Sequence, residues 1–315
     1  MIEIGKAQLE ELLAVPKLVE NLYIAFQQKD ITVPIRHHHD YANPGEGIDS
    51  TLLLMPAWED GSFLGVKLIT VSPNNSRYNL PSIHGIYILF DGHTGKPLAQ
   101  LDAQTLTNCR TAAASALASR FLSRKDSSSL LMIGTGALAP YLIKAHAAVR
   151  PVKQVFIWGR NYSKAENLCK NLVNDSYLIQ AVKNIEDVIG RVDIITAATL
   201  SEKLLIRGKW LKPGQHIDLV GSFKPNMREA DNETIRRASV YTDILETAPK
   251  ESGDLLIPLK DGVLTTKAIK GDLFSLCGKR TEGRTVSEEI TLFKSVGHAL
   301  EDLVAAKMAY LALNQ

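Results

Sequence analysis

The spacing of apolar residues changes character several times along the chain. Near the start, Val19, Leu22 and Phe26 recur at helical intervals, so residues 1 to about 30 are expected to be helical. From Ser50 to Asp102 the pattern becomes that of strands, at Thr51–Met55, Phe63–Val71, Ile83–Phe90 and Pro97–Leu101. Asp91-Gly92 and Thr94-Gly95 lie between the last two and mark a hairpin. This part predicts an α+β domain with a mainly antiparallel sheet. Residues 107–122 (TNCRTAAASALASRFL) predict an Ala-rich helix, suited to connect one domain to the next.

From Ser129 a different rhythm begins. Ser129–Ile133 is a short apolar run that stops at Gly134, and a helical stretch follows from Ala137 to Val149. Val155–Trp158 is the next strand. Ser163 with Glu166 has the spacing of a capping box for the helix after it. Val192–Ala197 and His216–Val220 are further strands, each preceded by a helical or loop segment. Strands alternating with helices predict an α/β fold with a doubly wound parallel sheet. The tail, Val296–Leu313, reads as one amphipathic helix that packs back on the first domain. The expected domains are therefore 1–120, completed by 296–315, and 121–295.

Composition removes several function classes. Lys+Arg 36 against Asp+Glu 34 leaves a net charge of +2, which calls for no nucleic-acid or membrane partner. No apolar run approaches the roughly 18 residues of a membrane span. The start, MIEIGKAQLEELL, carries acids where a signal peptide would be basic and then apolar. Cys109, Cys169 and Cys277 are odd in number and far apart. That pattern suits a reducing cytoplasm better than a disulfide framework or a zinc ribbon.

Gly134-Thr135-Gly136-Ala137-Leu138-Ala139 is G-x-G-x-x-A between a predicted strand and a predicted helix, the setting of a dinucleotide fingerprint. Gly134 allows the tight turn and Gly136 lets backbone approach a pyrophosphate. The second strand ends Trp158-Gly159-Arg160-Asn161, with no acid before Glu166. A carboxylate there would favour NAD, whereas Arg160 can pair with a 2′-phosphate. The expected cofactor is NADPH, with NADH used less well.

Three cations invite a functional reading. Lys67 interrupts the apolar strand FLGVKLITV, a costly place for a charge unless it is paired, functional or turned to solvent. Arg110 lies in the first turns of its helix, where the dipole disfavours a cation. Its partner is either an anionic ligand or Asp102. Arg36, in extended chain after Val33-Pro34-Ile35, is uninformative alone. His37-His38-His39 makes a poor metal tripod, because successive residues of an extended chain point apart, and reads as a polar loop with no metal. Hydrolase, zinc and P-loop motifs are absent from the sequence.

Together these segments resemble the ornithine cyclodeaminase/μ-crystallin family over nearly the whole chain. The matching stretches are Gly65-Val66-Lys67, Leu80-Pro81-Ser82, Leu89-Phe90-Asp91, Thr107–Ala113, Gly134–Ala137, Trp158–Asn161, Val220-Gly221-Ser222, Ser252-Gly253-Asp254 and Phe293–Asp302. The resemblance implies a Rossmann cofactor domain, a substrate and dimerisation domain, and a homodimer. It implies that Arg36, Lys67 and Arg110 hold a substrate carboxylate, with Ser82 in the same pocket. Thr111, Gly134, Gly136, Ala137, Arg160, Asn161, Val220 and Ser222 are the implied cofactor-contacting positions.

One departure selects among the family's chemistries. Cyclodeaminases and archaeal alanine dehydrogenases resemble G-x-D-x-P after the strand ending here at Val220, whereas this chain reads Gly221-Ser222-Phe223-Lys224-Pro225. Without that Asp, GSFKPNMRE is more similar to the ketimine reductase branch. The expected reaction is reduction of a small cyclic imino acid, Δ1-pyrroline-2-carboxylate to L-proline, with the piperideine homologue giving pipecolate as a second activity. Lys67 is the candidate proton donor, supported by Ser82. An ornithine cyclodeaminase, an alanine dehydrogenase and a non-catalytic NADPH-binding protein are the alternatives.

Overall fold

The computed structural model describes residues 1–28, 30–172 and 176–314. The chain divides into two compact units, Met1–Thr111 with His298–Gln315, and Ala112–Gly297.

The first unit is built on a seven-stranded sheet. Its strands are β1 (Ile2–Ile4), β2 (Ile31–Thr32), β3 (His37–Tyr41), β4 (Ser50–Glu59), β5 (Phe63–Val71), β6 (Ile83–Asp91) and β7 (Pro97–Asp102). The order is β1-β7-β6-β5-β4-β2, with β3 also on β4, and every pairing but β1 with β7 is antiparallel. Met55, Lys67, Tyr87 and Leu101 stand in one register row, and Ala57, Gly65, Leu89 and Ala99 in the next. All eight are buried or fill the buried face. The opposite face carries Leu54, Trp58, Leu64, Val66, Ile86 and Ile88, each half-buried.

Three local expectations are corrected. Residues 2–4 are a strand, not helix: Ile4 is fully buried, and the segment pairs with Ala99–Leu101 before Gly5 opens the helix Lys6–Leu12. His37–His39 form a strand rather than a loop. Their backbone pairs with β4 while all five β3 side chains stay exposed, as suits a polar edge. The helix Tyr162–Asn171 is capped by Asn161, whose side chain accepts from Lys164 N–H, not by Ser163.

The second unit is a parallel α/β sheet of eight strands: β8 (Ser129–Ile133), β9 (Gln154–Trp158), β10 (Leu178–Val182), β11 (Ile194–Ala197), β12 (His216–Leu219), β13 (Ala238–Thr242), β14 (Gly271–Asp272) and β15 (Ile290–Lys294). The order β10-β9-β8-β11-β12-β15-β13-β14 reverses direction between β8 and β11. That is the Rossmann arrangement, with its ligand crevice beyond the carboxyl ends of the strands at the reversal. Leu131, Ile133, Phe156, Ile195, Ile217, Leu219 and Leu292 form its core. Near-continuous apolar runs are what a sheet buried on both faces requires. Among the described residues, no helix is long and apolar enough to cross a membrane.

Candidate functional site

In the first unit the two suspicious cations meet a pair of acids. Lys67 Nζ lies 2.9 Å from Asp302 Oδ1 and 2.7 Å from Oδ2, and 3.4 Å from Thr107 Oγ1. Arg110 donates from Nε to Asp302 Oδ1 at 2.9 Å and from a terminal nitrogen to Glu301 Oε2 at 2.6 Å. Lys67 is 2% exposed, Arg110 5%, and both acids 0%, so none can be a solvated surface charge. Thr107 and Arg110 sit three residues apart on one face of the helix Ala103–Leu122. Glu301 and Asp302 occupy the first turn of the helix Ala299–Leu313, where the helix dipole favours anions.

The protonation states follow from this packing. Burial, then the charge of Arg110, lowers Lys67 to about 8 against the pull of Asp302. Burial alone would raise Asp302, but Arg110 and Lys67 override it and hold the carboxyl below its ordinary value. Burial would also lower Arg110, but Asp302 and Glu301 keep it above the ordinary arginine range. His298, which caps the same helix, is lowered to about 4 by burial and by the charges of Arg36 and Arg110, so it is neutral at pH 7. Arg36 is half-buried just before β3, and its charge is felt at both Lys67 and His298. Tyr87 stands opposite Lys67 on β6 with a fully buried hydroxyl and no hydrogen-bond partner among the described residues. Gly65 makes room for it: a Cβ there would lie 1.8 Å from that hydroxyl.

In the second unit the fingerprint adopts the form its residues require. Gly134 has φ +124°, and a Cβ on it would stand 2.6 Å from Ala198 O, so no other residue fits. At Gly136 a Cβ would meet nothing within 4 Å, which leaves the backbone open to an approaching ligand. The helix Ala139–Val149 starts directly after this turn. A strand, an open glycine turn and a helix start at the sheet reversal fit a dinucleotide pyrophosphate. Arg160 is exposed at the end of β9, free of any acid on that strand end.

The structure thus brings Lys67, Arg110 and the charge of Arg36 together, and groups Gly134, Gly136, Ala137, Arg160 and Asn161 around the ends of β8 and β9. Arg110 does not pair with Asp102, which instead accepts from Thr105 N–H at 2.8 Å. Ser82 is exposed at the head of β6, where its carbonyl accepts from Ser72 N–H, outside the buried charge cluster. Ser222 is buried, with its hydroxyl on Met227 O and 3.0 Å from Ser252 Oγ. Thr111 follows Arg110 in the same helix and is buried. Val220 directly follows β12. Sequence reasoning missed Glu301, Asp302, His298 and Tyr87. The available signal was an acid pair inside the otherwise Ala/Leu-rich ALEDLVAA, an unfavourable place for charge unless a cation waits there.

Comparison with known proteins extends this picture. A model of the ornithine cyclodeaminase/mu-crystallin family matches residues 5–315. The Delta(1)-pyrroline-2-carboxylate reductase of Colwellia psychrerythraea is 39% identical over 309 residues, 96% of each chain. The structure of Thermococcus litoralis Delta(1)-pyrroline-2-carboxylate reductase in complex with NADH and L-proline matches with TM-score 0.91 and 33% identity, covering 100% of this chain and 98% of that one. An archaeal alanine dehydrogenase dimer with bound NAD matches with TM-score 0.90 and 26% identity over 100% and 97%. With the match running from end to end, this chain belongs to the ornithine cyclodeaminase/mu-crystallin family.

Proposed function

We propose that this protein is an oxidoreductase acting on C=N bonds, reducing Δ1-pyrroline-2-carboxylate to L-proline with NADPH, and less well with NADH. Δ1-piperideine-2-carboxylate is the expected second substrate. The observation that carries the reading is Lys67: a buried lysine near pH 8, tethered to Asp302 beside Arg110. Relatives named Delta(1)-pyrroline-2-carboxylate reductase support the substrate. Phe223, where a cyclodeaminase has Asp, supports reduction over deamination.

When bound, the reduced nicotinamide supplies the hydride for the imine carbon. The chain's own residues do the rest. Arg110, locked by two acids, and Arg36 present positive charge to the substrate carboxylate. Lys67 holds a proton at neutral pH and gives it to the imine nitrogen, so that C–H and N–H bonds both form as the C=N π bond is lost. Asp302 orients the ammonium, and a proton taken up from water afterwards restores the charge of Lys67. The Gly134 turn receives the pyrophosphate and Arg160 the 2′-phosphate, with Thr111, Ala137, Asn161, Val220 and Ser222 as further contacts. Ser82 is retained only as a pocket residue. The first unit, bounded as 1–120 with 296–315 in the sequence and as Met1–Thr111 with His298–Gln315 in the fold, is the substrate and dimerisation domain, and the second, 121–295 in the sequence, the NADP-binding domain. The apolar outer face of β4, β5 and β6 is the surface for a homodimer. Among the described residues Cys109, Cys169 and Cys277 form no disulfide, which fits a cytoplasmic protein.

The test follows NADPH loss with Δ1-pyrroline-2-carboxylate, with NADH in parallel and proline measured as product. Turnover with proline formed is expected. No turnover, with ammonia released from ornithine or L-alanine oxidised, would overturn the reading. Tight NADPH binding without turnover of any imine would make the protein a ligand carrier.

A further inference from the structure

Beyond the charge cluster of the first unit, the second unit buries its own. Glu229 is fully buried, yet its carboxylate accepts three hydrogen bonds. Oε1 takes Thr199 N–H at 2.8 Å and Thr199 Oγ1–H at 2.7 Å, and Oε2 takes Gly221 N–H at 3.0 Å. Thr199 belongs to the loop that leaves β11 and Gly221 to the loop that leaves β12. The two loops touch backbone to backbone: a Cβ on Gly221 would lie 2.1 Å from Thr199 O and 2.2 Å from Thr199 N. On its other side the first loop presses on the fingerprint glycine, through Ala198 O against Gly134. Gly134, Ala198–Thr199 and Gly221 therefore form one continuous stack at the carboxyl ends of the strands, and Glu229 is its clasp.

The clasp is itself held in place. Asp254, second residue of the helix Gly253–Lys260, accepts from Glu229 N–H at 2.7 Å and Ala230 N–H at 3.1 Å. Lys294, fully buried at the end of β15, lies 3.6 Å from Asp254. In a doubly wound sheet the half that follows the reversal receives the second mononucleotide of the cofactor. Here that half begins with the loops after β11 and β12.

We propose that Glu229 is a positioning residue for the dinucleotide: by tying the β11 loop to the β12 loop it fixes the edge of the site that receives the nicotinamide mononucleotide. This rests on the dinucleotide reading above, but not on the identity of the imine. A carboxylate suits the task because both oxygens accept. An amide, or a protonated acid, would turn a donor toward either Thr199 or Gly221 and release one loop. Burial, and then the charge of Asp254, push the Glu229 carboxyl up to about 7 against the pull of Lys294. The clasp therefore opens within the neutral range. The charged groups that face it are Asp254 from its helix and Lys294 from β15.

The test measures NADH affinity of the full-length protein by cofactor fluorescence across pH, because NADH lacks a 2′-phosphate that would itself titrate. For wild type the affinity is expected to weaken as pH falls through about 7. In Glu229→Gln the affinity at pH 8 should fall about tenfold, the loss expected when a hydrogen bond to a charged group is removed, and the pH inflection should vanish. KM for the imine at saturating cofactor should stay within about twofold. Thr199→Val, which deletes one hydroxyl and keeps the shape, should give a smaller loss in the same direction and covers the case in which the Gln variant does not fold. Folded variants that bind NADH as wild type does, with the inflection intact, would overturn the proposal while leaving the dinucleotide reading standing. A wild type that binds neither NADH nor NADPH would overturn both.

Discussion

Asp302 holds Lys67 through both carboxylate oxygens, although the two residues are 235 positions apart in the chain. One comes from the middle of a strand and the other from the first turn of the last helix. The same Asp302 oxygen that meets Lys67 also accepts from Arg110 Nε. In the proposed reaction, one carboxylate would thereby couple substrate recognition by Arg110 to proton supply by Lys67.

The first consequence concerns pH. Lys67 acts as an acid only while protonated, and burial with the charge of Arg110 brings its loss of the proton down to about 8. Reductive kcat should therefore fall as pH rises through about 8. Lys67→Met should lower kcat about a hundredfold or more, the usual contribution of a general acid, with NADPH affinity unchanged. A rate profile flat into the ordinary lysine range near 10.4 would remove Lys67 from the mechanism.

Asp302→Asn leaves two buried cations with less compensation. A loss of about 3–5 kcal/mol in unfolding free energy is expected, as for other broken buried ion pairs. With the opposing charge gone, the proton of Lys67 should leave at lower pH, so the kcat inflection should shift downward in whatever folded fraction remains. Denaturant unfolding and the rate profile read the two effects separately. An unshifted inflection would show that Asp302 does not govern Lys67.

Gly65→Ala tests the packing behind the site. The new Cβ would be 1.8 Å from the Tyr87 hydroxyl and 2.5 Å from its Cζ, in a row with no room to shift. Overpacking of this kind costs about 1–3 kcal/mol. Tyr87→Phe in the same chain should recover part of it, because the hydroxyl is the nearest atom. Additive losses in the double mutant would mean that the two positions do not press on one another.

Arg160→Ala addresses cofactor choice. The KM for NADPH should rise about tenfold, and that for NADH should barely move, since only NADPH carries the phosphate that a guanidinium grips. Equal effects on both cofactors would show that Arg160 does not read the 2′-phosphate.

Ile88→Glu addresses assembly. It places a charge in the half-buried apolar face of β6 without touching the register row of Lys67. Light scattering should show a dimer for wild type and a monomer for the variant. A wild-type monomer would leave that face without the partner assigned to it.

Much of this protein was legible along the chain. Phe63–Val71 and Ser129–Ile133 appear with the bounds their apolar runs suggested, because a strand buried in a sheet needs apolar side chains at successive positions. Gly134 and Gly136 were legible for a related reason: a tight turn and an open approach can be met by so few residues that the sequence announces them. Lys67 and Arg110 stood out as charges in the wrong surroundings. Their partners did not. Glu301 and Asp302 lie in a tail that reads as an amphipathic helix, and only the fold buries them against their cations. His37–His39 became a strand because β4 offered an unpaired edge, which no local pattern records.

The sequence by itself determined most of the element types, the dinucleotide turn and the presence of displaced charges, because each is dictated by local spacing or by residues with few substitutes, and its matching segments carried the family. Only the tertiary structure decided which acid answers which base, how far burial moves Lys67 and His298, and that Glu229 clasps two loops. Those depend on contacts between residues far apart in the chain, and the cost of burying a charge is set by what the fold places around it.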